Sequence, residues 1–151
     1  MKEKNAAVSI RRQTLKVEDV MSSDPVTLNP GDTIAEAEEI MNEQGFRQIP
    51  VVRSKELVGI ITDRDIRSFL SGRLFGAPEE REVAMNTFVG AVMTTKPVSV
   101  EPENDLSEVI ELLIEGKVGG IPVVDEEQGL VGIVTYVDVL RCFLNLLVEE
   151  S

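Results

Sequence analysis

The chain of 151 residues contains no histidine, no tryptophan and one cysteine, Cys142. Without histidine, a Ser-His-Asp triad is excluded and the commonest zinc ligand is missing, so we expect no metal centre. Cys142 cannot form an internal disulfide, and because it lies in an apolar helical run we expect a buried, inert thiol. No pairing of a nucleophile with a base stands out. The sequence therefore predicts a protein that is not an enzyme and has no catalytic cofactor.

Long apolar runs are also missing. None approaches the roughly 20 residues needed to cross a bilayer, and no signal-peptide pattern opens the chain, so we expect a cytoplasmic protein without a membrane role. The net charge of −12 argues against nucleic acid, whose binding depends on Lys and Arg neutralising phosphates. Residues 1–16 are the exception, with five basic side chains against one acidic. We predict a loosely ordered basic arm there.

An internal repeat organises the rest of the chain. VMSSDPVTLNPGDTIAEAEEIM begins at Val20 and VMTTKPVSVEPENDLSEVIELL begins at Val92, an offset of 72 residues. One extra residue in a later turn increases the offset to 73. A repeat of this kind decides the architecture, because each copy folds into a similar unit. Further shared pieces are IPVV at Ile49 and Ile121 and LVGI at Leu57 and Leu130.

Local patterns in each copy predict the element order β-α-β-β-α. Thr33 and Asp105 precede apolar helical spacing with a glutamate three residues later, the capping-box pattern. One copy buries too little apolar surface to stand alone. The expected fold is therefore α/β, with tandem β-α-β-β-α repeats packed sheet to sheet in pseudo-twofold symmetry. The predicted divisions are the basic arm at 1–16, a first repeat at 17–70, a linker at 71–88 and a second repeat at 89–148.

The pattern Thr-x-x-Asp follows the second hairpin strand in both repeats, at Thr62–Asp65 and Thr135–Asp138. One interpretation is a helix cap and nothing more, since Thr at the N-cap and Asp at N3 satisfy each other's amides. The other is a ligand site, because a helix N-terminus attracts anions and an aspartate can accept from sugar hydroxyls. Arg47 and Arg64, near the first copy, suit a phosphate or are solvated surface charges.

The duplicated pattern resembles a tandem pair of CBS domains, the cystathionine β-synthase type of regulatory module, in the arrangement called a Bateman module. The resemblance covers residues 17–147 and rests on VM-x-x-x-PV, a helix, GFR-x-IPVV and LVGI-x-T-x-x-D. DRDIR, KVGGIPVVD and the chain length resemble, more loosely, the acetoin-utilisation-type CBS proteins. The resemblance implies a regulatory module that senses energy state by binding AMP, ADP or ATP in clefts between the repeats. NADH and S-adenosylmethionine stay open as alternative ligands.

The same resemblance implies a role for each candidate residue. Thr62 and Thr135 would lie near phosphate, and Asp65 and Asp138 would bind ribose. Arg47 and Arg64 would face phosphate. Adenine would rest on positions contributed largely by the opposite repeat, namely Val26, Thr27, Val98, Ser99, Gln48, Ile49, Gly120 and Ile121.

The second repeat departs from this pattern. Gly119 and Val137 stand where the first repeat has Arg47 and Arg64, so the two clefts are not expected to be equivalent. Either they share the arginines, or one cleft is weak or empty. The glycines at 119–120 either let the backbone approach a ligand closely or serve tight packing.

A rival interpretation is a structural or interaction module whose Thr-x-x-Asp motifs are only caps. The last helix carries many apolar side chains, which predicts a homodimer, and a regulated partner protein remains unidentified. The apolar residues in question are Val139, Leu140, Phe143, Leu144, Leu147 and Val148, with Ile66, Phe69 and Leu70 in the first repeat.

Overall fold

The computed structural model describes residues 14–73, 76–116 and 118–150. The predicted basic arm lies outside the described residues except for its last three positions. The elements, in chain order, are α1 (Val17–Val20), β1 (Ser22–Ser23), α2 (Ile34–Gln44), β2 (Gln48–Arg53), β3 (Glu56–Thr62), α3 (Asp63–Leu70), α4 (Pro78–Met85), a 3₁₀ turn (Val89–Ala91), β4 (Thr94–Thr95), α5 (Leu106–Gly116), β5 (Gly120–Val124), β6 (Leu130–Thr135) and α6 (Tyr136–Glu150).

The strands form two three-stranded antiparallel sheets, and each sheet takes its short third strand from the other repeat. The first sheet has the order β2-β3-β4 and the second has the order β1-β6-β5. In register, Thr94 of β4 lies opposite Ile60, and Ser22 of β1 lies opposite Ile133. The predicted fold class, tandem α/β repeats in pseudo-twofold symmetry, is confirmed. The sequence did not predict this exchange. The extended segment after each exchanged strand stays with its own repeat, where Leu28 pairs with Val51 and Val100 pairs with Val123.

The segments that precede each repeat are exchanged as well. The backbone amide of Val17 donates to the carbonyl of Asn104 at 2.9 Å, and the equivalent amide of Val89 donates to Asp32 at 2.7 Å. Both valines are 0% exposed, and each lies in the hydrophobic core of the opposite repeat. Ala84 of α4 also packs into the first core. Part of the predicted linker is thus a helix that closes the first repeat's core.

The two hairpins meet at their turns. The amide of Leu57 donates to the carbonyl of Gln128 at 3.1 Å, and the amide of Leu130 donates to the carbonyl of Lys55 at 2.9 Å. These two bonds are related by the 73-residue offset of the hairpins, as a pseudo-twofold axis between them requires. The sheets are therefore tied together at their turns as well as by the exchanged strands.

The glycine of each LVGI motif makes room for the exchanged strand. A Cβ at Gly59 would lie 2.5 Å from the Met93 sulfur and 2.9 Å from the Thr94 carbonyl oxygen. At Gly132 the corresponding distances, to Met21 and Ser22, are 2.7 and 2.9 Å. Since the obstacle includes backbone, a side chain at either position would push the exchanged strand away.

The helix caps follow the sequence in part. At α2 the Thr33 amide donates to Glu36 Oε1 at 2.8 Å and the Glu36 amide donates to Thr33 Oγ1 at 3.2 Å, so the capping box is formed. At α5 the carboxylate of Asp105 instead accepts from the Ser107 amide at 2.9 Å. Hydrogen bonds from Ser107 lower the pKa of the Asp105 carboxyl.

Two expectations about buried and exposed side chains need correction. Ile66 and Leu70 are buried in the first repeat's core, with Phe69 packed against it, so they do not extend the apolar surface of α6. Cys142 is half-buried rather than buried. Desolvation, with a smaller effect of the negative charge of Asp19, raises the pKa of the Cys142 thiol, so the thiol is held in its less reactive protonated form.

Candidate functional site

Two clefts lie between the repeats, one beside the N-terminus of α6 and one beside the N-terminus of α3. The first, here the Asp138 cleft, has a volume of about 550 Å³ and combines residues 135–138 with 22–26 and 44–48. The second, here the Asp65 cleft, has a volume of about 490 Å³ and combines residues 62–65 with 96–98 and 118–122. Both volumes suit a small-molecule ligand. Each cleft joins a helix N-terminus from one repeat to the extended segment of the other.

Both Thr-x-x-Asp motifs form helix caps. The Thr62 amide donates to Asp65 Oδ2 at 3.0 Å, and the Asp65 amide donates to Thr62 Oγ1 at 3.0 Å. In the second copy, the Thr135 amide donates to Asp138 Oδ2 at 2.8 Å, and the Asp138 amide donates to Thr135 Oγ1 at 3.3 Å. The cap interpretation is therefore satisfied in both copies. The caps do not compete with a ligand site, since each cap uses one carboxylate oxygen of its aspartate and leaves the second oxygen outside the cap.

The second oxygen of each aspartate has different surroundings. Asp138 Oδ1 accepts from the hydroxyl of Ser22, which β1 brings from the opposite repeat, at 3.2 Å. Thr94 is the equivalent residue of β4 and lines the Asp65 cleft. Within the part of the chain that the structure describes, no hydrogen bond joins Thr94 to Asp65. The Asp65 carboxylate is thus more open to a ligand than the Asp138 carboxylate.

The residue after each exchanged strand turns the chain into the cleft. Asp24 and Lys96 are equivalent in the repeat, and both have φ near 50°, the left-handed region that non-glycine residues seldom adopt. A proline follows each of them, and Asp24 lines the Asp138 cleft while Lys96 lines the Asp65 cleft. The same backbone bend therefore gives one cleft an acid and the other a base.

Arginines and a lysine supply the positive charge. Arg64 and Lys96 line the Asp65 cleft, Arg141 lines the Asp138 cleft, and Arg47 lines both. The Arg47 guanidinium lies 3.9 Å from Asp63 Oδ2 and its side chain is 71% exposed, so this ion pair adds little to stability. Sequence reasoning missed Lys96 and Arg141. Arg141 could have been found, because it follows Val137 by four residues and so shares its helix face.

The predicted adenine-binding positions fall partly in the clefts. Val26 lines the Asp138 cleft, and Gln48 lines both clefts. Val98, Gly120 and Ile121 line the Asp65 cleft. Thr27, Ser99 and Ile49 are not among the lining residues of either cleft, and the Ile49 side chain is 0% exposed because it faces the core side of β2. Two partly exposed aromatic residues that sequence reasoning missed, Phe46 and Tyr136, line the Asp138 cleft.

The glycines at 119–120 lie against the side chain of Gln48, and Gly120 also lies against Thr135, whose Cγ2 would be 3.1 Å from a Cβ at 120. A Cβ at Gly119 would lie 2.7 Å from Gln48 Oε1, and one at Gly120 would lie 3.2 Å from the Gln48 Cδ. Gln48 and Gly120 are equivalent positions of the two repeats, so one glutamine occupies the space where two side chains would meet. These contacts agree with the packing explanation, and the close approach of a ligand to the backbone stays a prediction.

The described residues hold no group of three or more Cys, Asp or Glu side chains arranged for a metal ion. None of the helices formed by residues 14–73, 76–116 and 118–150 is long and apolar enough to cross a membrane.

A model of the CBS domain matches residues 17–72 and 89–145. Among curated relatives, the uncharacterized protein MJ1225 of Methanocaldococcus jannaschii is 35% identical over 134 residues, which are 83% of this chain and 48% of that protein. Inosine-5'-monophosphate dehydrogenase of Korarchaeum cryptofilum is 31% identical over 132 residues, 87% of this chain and 25% of the enzyme. The chain thus spans half or less of these two relatives. It spans 88% of the CBS domain-containing protein YhcV of Bacillus subtilis, with 34% identity over 137 residues, 89% of this chain.

Solved structures agree with the fold. A putative acetoin utilization protein, AcuB, from Vibrio cholerae matches with a TM-score of 0.77 and 34% identity, covering 92% of this chain and 98% of that chain. CBSX2 in complex with AMP matches with a TM-score of 0.75 and 28% identity, covering 87% and 97%. The CBS domain pair of protein MJ0100, in complex with 5-methylthioadenosine and S-adenosyl-L-methionine, matches with a TM-score of 0.74 and 27% identity, covering 88% and 98%.

Proposed function

This chain belongs to the CBS-domain family, and from that premise we propose that it is a non-enzymatic, cytoplasmic regulatory module that binds AMP, ADP or ATP in its two clefts. The observation that carries the proposal is the composition of each cleft. One repeat contributes a capped helix N-terminus and its aspartate. The other repeat contributes an extended segment and the residues that lead into β2 or β5. A ligand that fills such a cleft touches both repeats, so it can report on their relative arrangement.

The chemistry of the Asp65 cleft suits the parts of a nucleotide. The Asp65 oxygen that is not used by the cap can accept from ribose hydroxyls. The α3 N-terminus, the Thr62 hydroxyl and the guanidinium of Arg64 favour a phosphate, and Lys96 adds a further positive charge. Val98 offers an apolar surface to the adenine ring. The Asp138 cleft repeats the plan with Arg141 as its own cation, and Phe46 and Tyr136 beside it.

Complexes of similar proteins support the adenosine part of the ligand. CBSX2 has been solved with AMP, and the MJ0100 pair with 5-methylthioadenosine and S-adenosyl-L-methionine. The phosphate part of the proposal rests on this chain's own cations. For the module to act as a sensor, its ligand must bind two arrangements of the repeats with unequal affinity, and one arrangement would favour an as yet unidentified regulated protein.

Isothermal titration with AMP, ADP, ATP, NADH and S-adenosylmethionine tests the proposal. We expect at least one nucleotide to bind more tightly than about 1 mM, which corresponds to roughly −4 kcal/mol. If none does, the nucleotide proposal is wrong. Asp65→Ala and Asp138→Ala should each weaken one of two sites. Glu36→Ala is the matched control, since it removes the same type of cap acceptor from α2, away from both clefts, and should leave affinity unchanged.

A second candidate function, a dimerisation module whose motifs are only caps, is favoured by the surface of α6. Leu140, Leu144 and Leu147 recur at helical spacing and are more than half exposed, which favours burial against a second copy. Sedimentation at micromolar concentration should show a homodimer, and Leu144→Glu should give a monomer. Val83→Glu, at an equally apolar exposed site on α4, is the control. A wild-type monomer would refute dimerisation through this face. If Asp65→Ala lowers the free energy of unfolding and no nucleotide binds to the wild-type protein, the interpretation of the Thr-x-x-Asp motifs as helix caps alone is supported.

A further inference from the structure

The boundary between the two clefts is built asymmetrically. Pseudo-twofold symmetry makes position 47 equivalent to 119 and position 48 equivalent to 120. The first repeat supplies Arg47 and Gln48, and both of these residues line both clefts. The second repeat supplies Gly119 and Gly120. Two equivalent clefts would each have an arginine at this boundary, but this chain has one arginine for the two.

The space beside Gly119 is occupied by the side chain of Gln48. Because a Cβ at Gly119 would meet Gln48 Oε1 at 2.7 Å, the space that a second side chain would enter is already occupied. The atom in the way is the end of a flexible side chain, so a larger residue at 119 can be accommodated if Gln48 moves. Gly119 also has an ordinary negative φ, since it is not among the residues with positive φ. The position therefore accepts a side chain without backbone strain.

The remaining cations belong to one cleft each. Arg64 and Lys96 line only the Asp65 cleft among the two, and Arg141 lines only the Asp138 cleft. Arg47 differs from these three residues because it lines both clefts. Its only ion-pair partner among the described residues is Asp63, at 3.9 Å. Asp63 has a closer partner in Arg67, at 3.0 Å. A weak, exposed pair of this kind leaves the Arg47 guanidinium available to a phosphate on either side.

We propose that Arg47 is a phosphate-binding residue shared by the two clefts, so that a phosphorylated nucleotide in one cleft weakens binding in the other. The inference rests on the proposed function. A guanidinium presents its donors as a planar fork, and it binds a phosphate best when the fork meets one phosphate in a bidentate pair. The first ligand takes that fork. The second ligand binds a cleft that has only its own cations.

The test is a two-step titration with AMP, in wild type and in three single variants. Arg47→Gln should weaken the first step about tenfold and leave the second unchanged, because the second ligand never had the arginine. Gly119→Arg should tighten the second step by a similar factor, since each cleft then has its own fork. Gly119→Gln introduces a long uncharged side chain at the same place and measures the effect of bulk alone, so the tightening by Gly119→Arg is judged against this variant. Adenosine, which has no phosphate, should respond to none of these changes.

Each alternative outcome has a definite meaning. Equal weakening of both steps by Arg47→Gln would show that Arg47 serves both ligands at once and would overturn the sharing. No change in either step would place Arg47 outside the phosphate sites and would also overturn it. In both cases nucleotide binding would stand. Absence of AMP binding in wild type up to about 1 mM, together with no binding by the other nucleotides, would overturn the proposed function itself and the sharing with it.

Discussion

Asp138→Ala should destabilise the fold more than Asp65→Ala, although the two aspartates occupy equivalent positions. Each aspartate accepts from the backbone amide of its own threonine, at 2.8 Å for Asp138 and 3.0 Å for Asp65. Asp138 also accepts from the Ser22 hydroxyl at 3.2 Å. This bond joins the exchanged strand β1 to the N-terminus of α6, so its loss loosens a contact between the repeats.

The magnitude follows from the bonds that each substitution removes. Loss of a cap acceptor costs about 1 kcal/mol, and loss of a negative charge near a helix N-terminus costs about 0.3–1 kcal/mol more. Asp65→Ala should therefore cost about 1–2 kcal/mol. Asp138→Ala loses in addition the bond from Ser22 and a bond from the Thr135 hydroxyl at 3.0 Å, and each net hydrogen bond contributes about 0.5–1.5 kcal/mol. We expect the difference between the two variants to be about 1–2 kcal/mol, and each kcal/mol corresponds to about 2–4 °C in Tm.

Urea unfolding followed by circular dichroism measures these differences, and a double-mutant cycle isolates the bond. Ser22→Ala should be destabilising in wild type and nearly neutral in Asp138→Ala, which gives a coupling energy of about 1 kcal/mol. Thr94→Ala combined with Asp65→Ala is the matched control, and its effects should be additive. Equal losses for the two aspartates, or additive effects of Ser22→Ala and Asp138→Ala, would refute the reasoning.

Three further predictions follow from the packing. Gly59→Ala should destabilise the fold by about 1–3 kcal/mol, because its Cβ would meet the backbone of β4. Gly31→Ala is the control. Nothing lies within 4 Å of a Cβ at Gly31, so the unfolding free energy should change by less than about 0.5 kcal/mol. Val17→Ala should cost about 2 kcal/mol in urea unfolding, because Val17 lies in the second repeat's core; a neutral result would contradict the exchange of segments. Cys142 should react with iodoacetamide at pH 8 more slowly than a free thiol, because its pKa is raised. Asp19→Asn should speed the reaction, because it removes the negative charge that contributes to the raised pKa. An unchanged rate would show that the charge of Asp19 has no effect.

The repeat predicted most of the architecture. Matching LVGI and Thr-x-x-Asp at fixed offsets indicated two similar units, and the confirmed pseudo-twofold fold follows from that similarity. The exchange did not follow. Val17 and Val89 begin the same pattern, Val-x-x-Val-Met, in both repeats, but a pattern shows that two segments are alike and not which core each enters. That choice depends on how the chain crosses between the sheets.

The candidate site was predictable where a local motif defines it and not where the cleft is assembled across repeats. Thr62, Asp65, Thr135 and Asp138 stand out because spacing along the chain fixes a helix cap. Lys96 does not stand out in the sequence. Its place in the Asp65 cleft depends on a left-handed backbone conformation, which a lysine in a sequence does not predict.

A crystal structure of the protein grown with AMP is the most direct test of the central account, that each cleft binds a nucleotide with residues from both repeats. We expect AMP to bind with its ribose on the carboxylate of Asp65 or Asp138 and its phosphate at the N-terminus of α3 or α6. Its adenine should lie against the opposite repeat, near Val98 or Val26. AMP bound elsewhere, or held by residues of one repeat alone, would contradict it.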